Sequence, residues 1–209
     1  MRLYILDNIL SSSISLFLTK GIREVSVRDI VKASDVSIRT FYRYFESKEH
    51  VIDYMIKIGL KRDRAELRMV KKQFGNPVEM YVSFINSTYK SVVNMSADYY
   101  RDLVKYYPNQ FALINEFMNK DITEFYVYMI RKGRKTGLFK KDLNEKLLAI
   151  YYSDSVIHSL YELFLHSKVY SKNQVYLEVH RIIMYSLCTP KGLRVFEKSC
   201  KDYFPELII

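Results

Sequence analysis

The sequence predicts an all-α protein built from two domains. Apolar residues recur at helical spacing along most of the 209 residues, and segments that alternate like strands are few. The chain holds six glycines and four prolines, so breaks between helices are few. Its length suits one small domain and one larger domain, which we place at residues 1–47 and 48–209.

The N-terminal part of the chain is predicted to contain four helices. The first stops at Lys20-Gly21, a common helix end. Ser26 and Ser37 each precede a short apolar segment and can cap its free backbone N–H groups. Asp29 can reach back to Ser26 in a variant of the capping box. The four helices are predicted at 3–20, 27–34, 38–44 and 48–73.

The second and third of these helices are short and closely linked. Ser34-Asp35 between them is turn material, and a third cap, Ser47, opens the long helix that follows. Helices of about eight residues are marginal in isolation, so they must pack on neighbours. Two short helices joined by a tight turn are the plan of a helix-turn-helix DNA reader, so residues 1–47 are predicted to bind DNA.

The same segment carries a specific string of residues. Its pieces are Leu16-Phe17 with Lys20-Gly21, then Val27-Arg28-Asp29-Ile30-Val31, then Val36-Ser37 with Thr40-Phe41-Tyr42-Arg43-Tyr44-Phe45, and Ser47-Lys48-Glu49. With these pieces, Ile9 to Met55 resembles the N-terminal domain of the TetR family of bacterial transcriptional regulators. One position departs from the family, which often has Gly where this chain has Arg39. The operator preference of better-known relatives therefore does not transfer to this chain.

Several residues of this segment are candidates for contacting DNA. Arg39 can donate two hydrogen bonds to a guanine edge, and Thr40 can offer a methyl group to thymine or a hydroxyl to either edge. The resemblance implies phosphate contacts for Tyr42 and Lys48, and Lys48 also stands at a helix N-terminus, which favours an anion. A lone Arg or Lys is more often a solvated surface residue, but the motif favours the DNA role here. The predicted DNA-binding residues are Ser26, Arg28, Ser37, Arg39, Thr40, Tyr42, Arg43 and Lys48.

The rest of the chain is predicted to form helices separated by glycine and proline. Breaks at 75–77 and 108–109 each end one helix and start another, and Gly137 stops the central long helix. A weaker resemblance, to the loop after the central helix in many ligand-binding domains of the family, rests on Gly133, Gly137-Leu138-Phe139 and Asp142-Leu143. The predicted helices are 77–95, 98–107, 110–136, 143–167 and 173–188, with a short helix from Pro190.

This larger part of the chain is rich in aromatic residues, and the whole sequence has 19 Tyr and 12 Phe. The family resemblance implies a ligand pocket enclosed by such helices, and tyrosine suits a pocket because it offers an apolar face and one polar tip. The alternative is that aromatic residues at helical spacing form the core. The predicted pocket for a small, largely apolar or aromatic effector is lined by Tyr81, Phe84, Tyr100, Tyr107, Phe111, Phe117, Tyr126, His158 and Tyr161.

Asp154, His158, Glu162 and His166 follow one another at intervals of four residues, on one slowly drifting helix face. His158 and Glu162 could bind a divalent metal with a third ligand from elsewhere. Such sets are also ordinary pairs at a helix surface or interface, which is the reading we favour, so no metal and no cofactor are predicted. The sequence has no Gly-rich phosphate loop, nucleophile elbow or His-Glu metal signature, so no enzyme activity is predicted.

The net charge of +10 favours polyanionic partners. Residues 1–50 carry eight basic and six acidic residues, a net of +2, and the remaining residues carry a net of +8. This excess is either a lysine-rich surface or an additional phosphate track along the helix from Lys48. No apolar run approaches the ~20 residues of a membrane helix, and no signal peptide is recognised. With two cysteines and no disulfide framework, a reducing cytoplasm is the predicted compartment.

The late helices are predicted to form a homodimer, because their apolar residues exceed what one packed face needs. These residues are Leu147, Ile150, Tyr151, Ile157, Leu160, Tyr161, Leu165, Leu177, Ile183, Met184 and Leu187. The predicted function is a repressor that a small molecule releases from a palindromic, double-stranded DNA operator. The alternatives are an activator that responds to a protein, and a helical enzyme or adaptor with a degenerate DNA-binding domain.

Overall fold

A computed structural model describes residues 2–142, 144–166, 169–201, 203 and 204, with side chains described except at 2, 3 and 157–166. In these ranges the regular secondary structure is helical, joined by turns, and the extended pairing is a single bridge between Phe139 and Cys188. The all-α prediction is therefore confirmed. The helices are α1 (Arg2–Lys20), α2 (Val27–Ala33), α3 (Ile38–Tyr44), α4 (Lys48–Gln73), α5 (Pro77–Val93), α6 (Ala97–Tyr106), α7 (Pro108–Phe117), α8 (Thr123–Lys135), α9 (Glu145–His166), α10 (Lys172–Leu187) and α11 (Pro190–Cys200).

The predicted helix 110–136 differs from the observed structure at its start and in its interior. It begins at Pro108, whose fixed φ suits a first helical position, and a π-helical turn at Met118–Ile122 separates α7 from α8. The Thr123 hydroxyl donates to the carbonyl of Met118, five residues earlier, at 3.3 Å, and it also lies 2.9 Å from the Ser153 hydroxyl. These bonds hold the wider turn in place.

The chain divides into two compact units that interleave in sequence. Unit 1 comprises Met1–Arg62 and Asn94–Asn115, and unit 2 comprises Asp63–Val93 and Glu116–Ile209. The predicted domains, 1–47 and 48–209, are contiguous segments, and their boundaries stay a prediction. The structural division instead cuts α4 at residue 62 and adds α6 and most of α7 to the first unit.

Unit 1 forms around apolar residues of its first four helices. Ile9, Phe17, Ile30 and Phe41 are fully buried there. The end of α1 requires a glycine, because Gly21 has a φ of +83°. A side chain at this position would also meet Asp98 on α6. The predicted helix end at Lys20-Gly21 is therefore confirmed.

Unit 2 has an aromatic core built from α5, α8, α9, α10 and α11, in which Phe125, Tyr126 and Phe139 are buried. Gly133 on α8 lies against the Phe139 ring, so that a Cβ there would overlap the ring. The Gly133 carbonyl accepts the N–H groups of Leu138 and Phe139, which closes the loop after α8. That packing is a physical reason for the glycine and phenylalanine on which the weaker family resemblance rests.

Candidate functional site

The helix-turn-helix of unit 1 is held by local hydrogen bonds. The Ser26 hydroxyl accepts the Asp29 N–H at 3.2 Å, and an Asp29 carboxylate oxygen accepts the Ser26 N–H at 2.8 Å. The predicted capping box is therefore confirmed. Ser37 caps α3 in the same way, through the Thr40 N–H at 3.0 Å. The turn between the helices places Asp35 at a φ of +50°, a left-handed conformation that Asp tolerates.

These caps also determine the charge at the surface of α2. Hydrogen bonds from Ser26 hold the pKa of Asp29 below its usual value, so its carboxylate stays ionised at neutral pH. The same bonds occupy the Ser26 hydroxyl, and the hydroxyls of Ser37 and Thr40 lie 2.8 Å apart. The predicted DNA contacts of these three residues would therefore use groups that already have intramolecular partners, except for the Thr40 methyl group.

The two faces of α3 differ sharply in character. Phe41 and Phe45, at its buried side, pack with their ring centroids 5.8 Å apart. Arg39, Tyr42 and Arg43 are exposed on the other side. Within the described residues, neither arginine is paired with a carboxylate. The buried face fixes the helix, and the exposed face offers two free guanidinium groups and one phenol.

The sequence analysis missed Ile38, at the start of α3. Its side chain is 47% exposed, beside Tyr42 at 54%, so α3 presents apolar as well as charged groups. A signal was available, because a residue directly after an N-cap lies on the first turn, which in a reading helix points towards the DNA. An exposed aliphatic group there is suited to contact a thymine methyl group.

Lys48 has a role that its sequence position did not reveal. Its Nζ donates to the carbonyls of Ile22 at 2.9 Å and Val25 at 2.8 Å. Partial burial lowers the pKa of its ammonium group. Lys48 therefore ties the start of α4 to the corner between α1 and α2. One of its three N–H groups remains for a phosphate, and the phosphate contact stays a prediction.

Helix α6 is fastened to the same corner by three hydrogen bonds. The Ser96 N–H donates to the Leu18 carbonyl at 3.0 Å, and the Arg23 N–H donates to the nearly buried Asp102 carboxylate at 2.8 Å. The Arg23 guanidinium donates to the Tyr106 hydroxyl at 2.9 Å and lies over its ring. Unit 1 therefore includes a helix from well beyond the helix-turn-helix in sequence.

The predicted effector residues are distributed over both units. Tyr100 and Phe111 lie in unit 1, with their ring centroids 5.7 Å apart, and Tyr107 lies there too. Tyr81, Phe84, Phe117 and Tyr126 lie in unit 2. The side chains of the other two predicted residues, His158 and Tyr161, lie outside the described residues, as do those of Glu162 and His166.

The centre of unit 2 is an aromatic cluster with buried polar atoms. Tyr81 shares a hydrogen bond of 2.7 Å with His180 Nδ1, and the Tyr176 ring lies 4.4 Å from the His180 ring. The Tyr176 hydroxyl donates to the Ile85 carbonyl at 2.7 Å. Burial lowers the pKa of His180 to about 3 and raises that of Tyr81 well above its usual value, so both are neutral. A compound entering this cluster would meet apolar faces with a few polar tips.

The α9–α10 region of unit 2 exposes apolar side chains. Leu147 is 66% exposed, Tyr151 65% and Ile182 59%. The prediction that α10 residues form the dimer interface is wrong for Leu177, Ile183, Met184 and Leu187, which are all buried inside unit 2. Their apolar character reflects the core of one chain. Among the described side chains of α9 and α10, the exposed large apolar residues are instead Leu147, Ile150, Tyr151 and Ile182.

Other kinds of site find little support in the described residues. No group of three or more metal-ligating side chains is present among them. Cys188 and Cys200 are buried, and burial raises the pKa of each thiol to about 12, so neither is a reactive thiolate at neutral pH. None of the described helices is long and apolar enough to cross a membrane.

Comparisons with known proteins agree with this geometry. Residues 9–55 match the family described as bacterial regulatory proteins, tetR family. The HTH-type transcriptional repressor KstR2 of Mycobacterium tuberculosis is 24% identical over 151 residues, which cover 70% of this chain and 75% of the repressor. The solved structure of that organism's ketosteroid transcriptional regulator KstR2 has a TM-score of 0.60 at 19% identity, covering 87% and 93% of the two chains. Regulatory protein TetR from Rhodobacter sphaeroides has a TM-score of 0.68 at 13% identity, covering 87% and 97%.

Proposed function

We propose that this chain, which belongs to the TetR family of bacterial regulatory proteins, is a homodimeric transcriptional repressor. The dimer would bind a palindromic operator, and a small ligand would release it from the DNA. The observation that carries the proposal is α3, whose buried face fixes it while Arg39, Tyr42 and Arg43 stay exposed. A helix presented in this way can enter the major groove of DNA. Repression is carried over from the KstR2 repressors. The cytoplasmic location predicted from the sequence stays part of the proposal.

We assign separate tasks to the residues of this surface. Arg39 reads a guanine through two hydrogen bonds, and Ile38 with the Thr40 methyl group contacts thymine methyl groups. Tyr42 and Arg43 bind phosphates, with Arg28 on α2 as a further phosphate ligand. Lys48 contributes chiefly by holding the corner between α1 and α2, through its two carbonyl contacts.

Dimerisation is supported by the exposed apolar residues of α9 and α10. Leu147, Ile150 and Tyr151 stand at positions i, i+3 and i+4 of α9, so they lie on one face of the helix. Together they form an apolar stripe whose exposure to water is unfavourable. A second copy of the chain that covers the stripe would remove it from water. Two copies would also carry two α3 helices, which matches the two half-sites of a palindrome.

The effector is proposed to be an apolar, ring-containing compound that binds within unit 2. The aromatic cluster around Tyr81 and His180 would supply ring faces for such a compound. KstR2 of Mycobacterium tuberculosis, whose solved structure has a similar fold, is described as a ketosteroid transcriptional regulator. The buried hydroxyls already have partners, so a ligand must replace the hydrogen bonds that it breaks. This requirement favours a ligand with one or two polar groups over a pure hydrocarbon.

We propose that ligand binding causes release of the DNA through the chain segments that connect unit 1 to unit 2. Helix α4 starts at the Lys48 contact, and α6 is fastened to the corner through Asp102 and Arg23. Because α4 continues from unit 1 into unit 2, a ligand in unit 2 that shifts α4 would change the position of α3. By linkage, DNA and effector lower each other's affinity by the same factor.

The test is operator binding by the full chain. The DNA upstream of its own gene is searched for an inverted repeat, and fluorescence anisotropy compares that duplex with a scrambled one at several salt concentrations. We expect binding to the inverted repeat at least about 10³-fold tighter than to the scrambled duplex. Equal, salt-insensitive binding to both would reject DNA reading and favour the adaptor alternative.

The dimer is tested by sedimentation at micromolar concentration. Leu147→Glu with Tyr151→Glu should give a monomer, because both charges would be buried in the interface. Met69→Glu is the matched control, since Met69 is an exposed apolar residue of α4 in the same unit and should leave the dimer intact. A wild-type monomer, or equal effects of the two changes, would contradict the proposed interface.

A further inference from the structure

A groove of about 590 Å³ opens on unit 2 between α5 and α11, and it shares no residue with the predicted effector pocket. Its volume falls within the range of about 300–1,000 Å³ that small-molecule sites occupy. The apolar side of the lining consists of Phe74, Val82 and Val195. Of this apolar floor, Val82 is almost completely buried below the groove, whereas Phe74 and Val195 are half-buried and leave part of their surface open to a ligand.

The other side of the groove is positively charged. Lys191, Arg194 and Lys198 all line it from α11. Their spacing of three and four residues places them on one helix face, and all three are exposed. Within the part of the chain that the structure describes, none of the three forms an ion pair. Among the described residues, a ligand would therefore have no ion pair of these cations to displace.

The balance of charge in the lining favours an anion. Glu79 on α5 is its acidic residue, so three cations stand against one carboxylate. An inorganic anion would satisfy the cations but would leave the apolar floor in water. A neutral apolar compound would cover the floor but would gain nothing from the cations. A molecule with an anionic head and an apolar body satisfies both sides.

We propose that this groove binds an anionic amphiphile, with a carboxylate or phosphate head against Lys191, Arg194 and Lys198 and an apolar chain over Val82 and Val195. The residues that line the groove include none of those in the aromatic cluster assigned to the effector and none of the predicted DNA-binding residues. This proposal can therefore be tested independently of the repressor function.

Isothermal titration of the full chain tests the head and the body of the ligand separately. The probes are decanoate, decyl phosphate, decanol and inorganic phosphate, each used below its aggregation concentration. We expect decanoate and decyl phosphate to bind, and decanol and inorganic phosphate to bind at least about tenfold more weakly. Equal binding of decanol and decanoate, or binding of inorganic phosphate alone, would overturn the proposal.

Two variants with the same change in net charge locate the site. Lys191→Gln, Arg194→Gln and Lys198→Gln together should raise the Kd of decanoate about tenfold or more. Lys90→Gln, Lys135→Gln and Lys141→Gln together remove three exposed cations elsewhere in unit 2 and should leave that Kd unchanged. Equal effects of the two variants, or no effect of the first, would contradict the assignment.

The apolar floor is tested by Ser83→Trp, because Ser83 is a half-buried residue of the lining and the indole ring would fill the groove. We expect this variant to lose decanoate binding. Retained binding with an unchanged Kd would place the ligand elsewhere. If the variant has a lowered melting temperature, the triple variant of α11 decides the question alone, because its three positions are exposed.

Discussion

The helix-turn-helix of unit 1 and the aromatic cluster of unit 2 use polar side chains in opposite ways. In the helix-turn-helix of unit 1, Ser26, Asp29 and Ser37 make hydrogen bonds to partners three residues away. In unit 2, Tyr81 and His180 are 99 residues apart and pair inside an aromatic cluster. The first arrangement builds a short, exposed helix with defined ends. The second places polar atoms in a core whose hydrogen bonds a ligand can replace.

This difference is the physical reason for proposing that unit 1 binds DNA and that unit 2 binds a small molecule. DNA recognition requires charged groups that are free at the surface, such as Arg39 and Arg43 on a helix fixed from behind by Phe41. Small-molecule recognition requires enclosed apolar surface with a few polar groups, and we propose that the cluster of Tyr81, Tyr176 and His180 serves this purpose.

The largest expected effect concerns the long-range contact in unit 1. Asp102→Ala removes the carboxylate that accepts the Arg23 N–H, and leaves that N–H without its partner. We expect the free energy of unfolding to fall by about 3 kcal/mol, as measured by urea denaturation. DNA affinity should fall in the same variant, because α6 is no longer fastened to the corner between α1 and α2.

Asp98→Ala is the matched control for that prediction. Asp98 lies on the same helix and carries the same charge, but it is exposed and paired with Arg101 at 2.9 Å. An exposed ion pair contributes less than about 1 kcal/mol. Equal destabilisation by the two substitutions would show that Asp102 has no special part in joining α6 to the corner.

The next effect is a pH dependence that arises in unit 2. The pKa of His180 is lowered to about 3 by burial, from the model-compound value of 6.5, so the unfolded chain binds a proton that the folded chain does not. Stability is therefore complete above pH 6.5 and falls as the pH drops towards 3. Between pH 6.5 and 5 the loss should be about 2 kcal/mol, measured by urea denaturation at each pH.

Two histidine variants separate this contribution from others. His180→Gln should remove the loss between pH 6.5 and 5, although it lowers stability at all pH values by disturbing the Tyr81 bond. His50→Gln, on α4 in unit 1, should keep the loss. A steep pH dependence that survives His180→Gln would place its origin in another group.

The smallest of these effects concerns a cap in unit 1. Ser26→Ala removes the side-chain acceptor of the Asp29 N–H and should lower the free energy of unfolding by about 1 kcal/mol. Ser11→Ala is the control, because Ser11 lies inside α1, where alanine is the better helix former. Equal losses from both substitutions would mean that the cap contributes nothing beyond the general effect of losing a hydroxyl.

Local hydrogen bonds could be predicted from the sequence, whereas contacts between distant residues could not. The starts of α2 and α3 follow from Ser26 and Ser37, because an N-cap acts within the first turn of a helix. The bond from Lys48 to Ile22 and the burial of Asp102 could not be predicted, since each depends on how distant helices pack. The sequence signals located the helix α3 and the aromatic content of unit 2, and the reading of DNA by α3 stays a prediction.

Other features of unit 2 left no local signal. The π-helical turn at Met118–Ile122 contains no glycine or proline, so the sequence read as one continuous helix. The buried positions of Ile183 and Met184 could not be separated from an interface, because a core face and a dimer face are equally apolar. Ile38 was missed because an aliphatic residue is ordinarily assigned to the core.

The central claim is that the exposed face of α3 reads DNA bases, and one measurement tests it most directly. The affinities of wild type, Arg39→Ala and Lys32→Ala are measured on the inverted-repeat duplex and on a scrambled duplex at one salt concentration. Lys32 is the control because it is an exposed cation on α2 outside the predicted contacts. We expect Arg39→Ala to weaken binding to the inverted repeat by about 1–3 kcal/mol more than binding to the scrambled duplex, and Lys32→Ala to leave that difference unchanged. Equal losses on both duplexes for Arg39→Ala would contradict the claim.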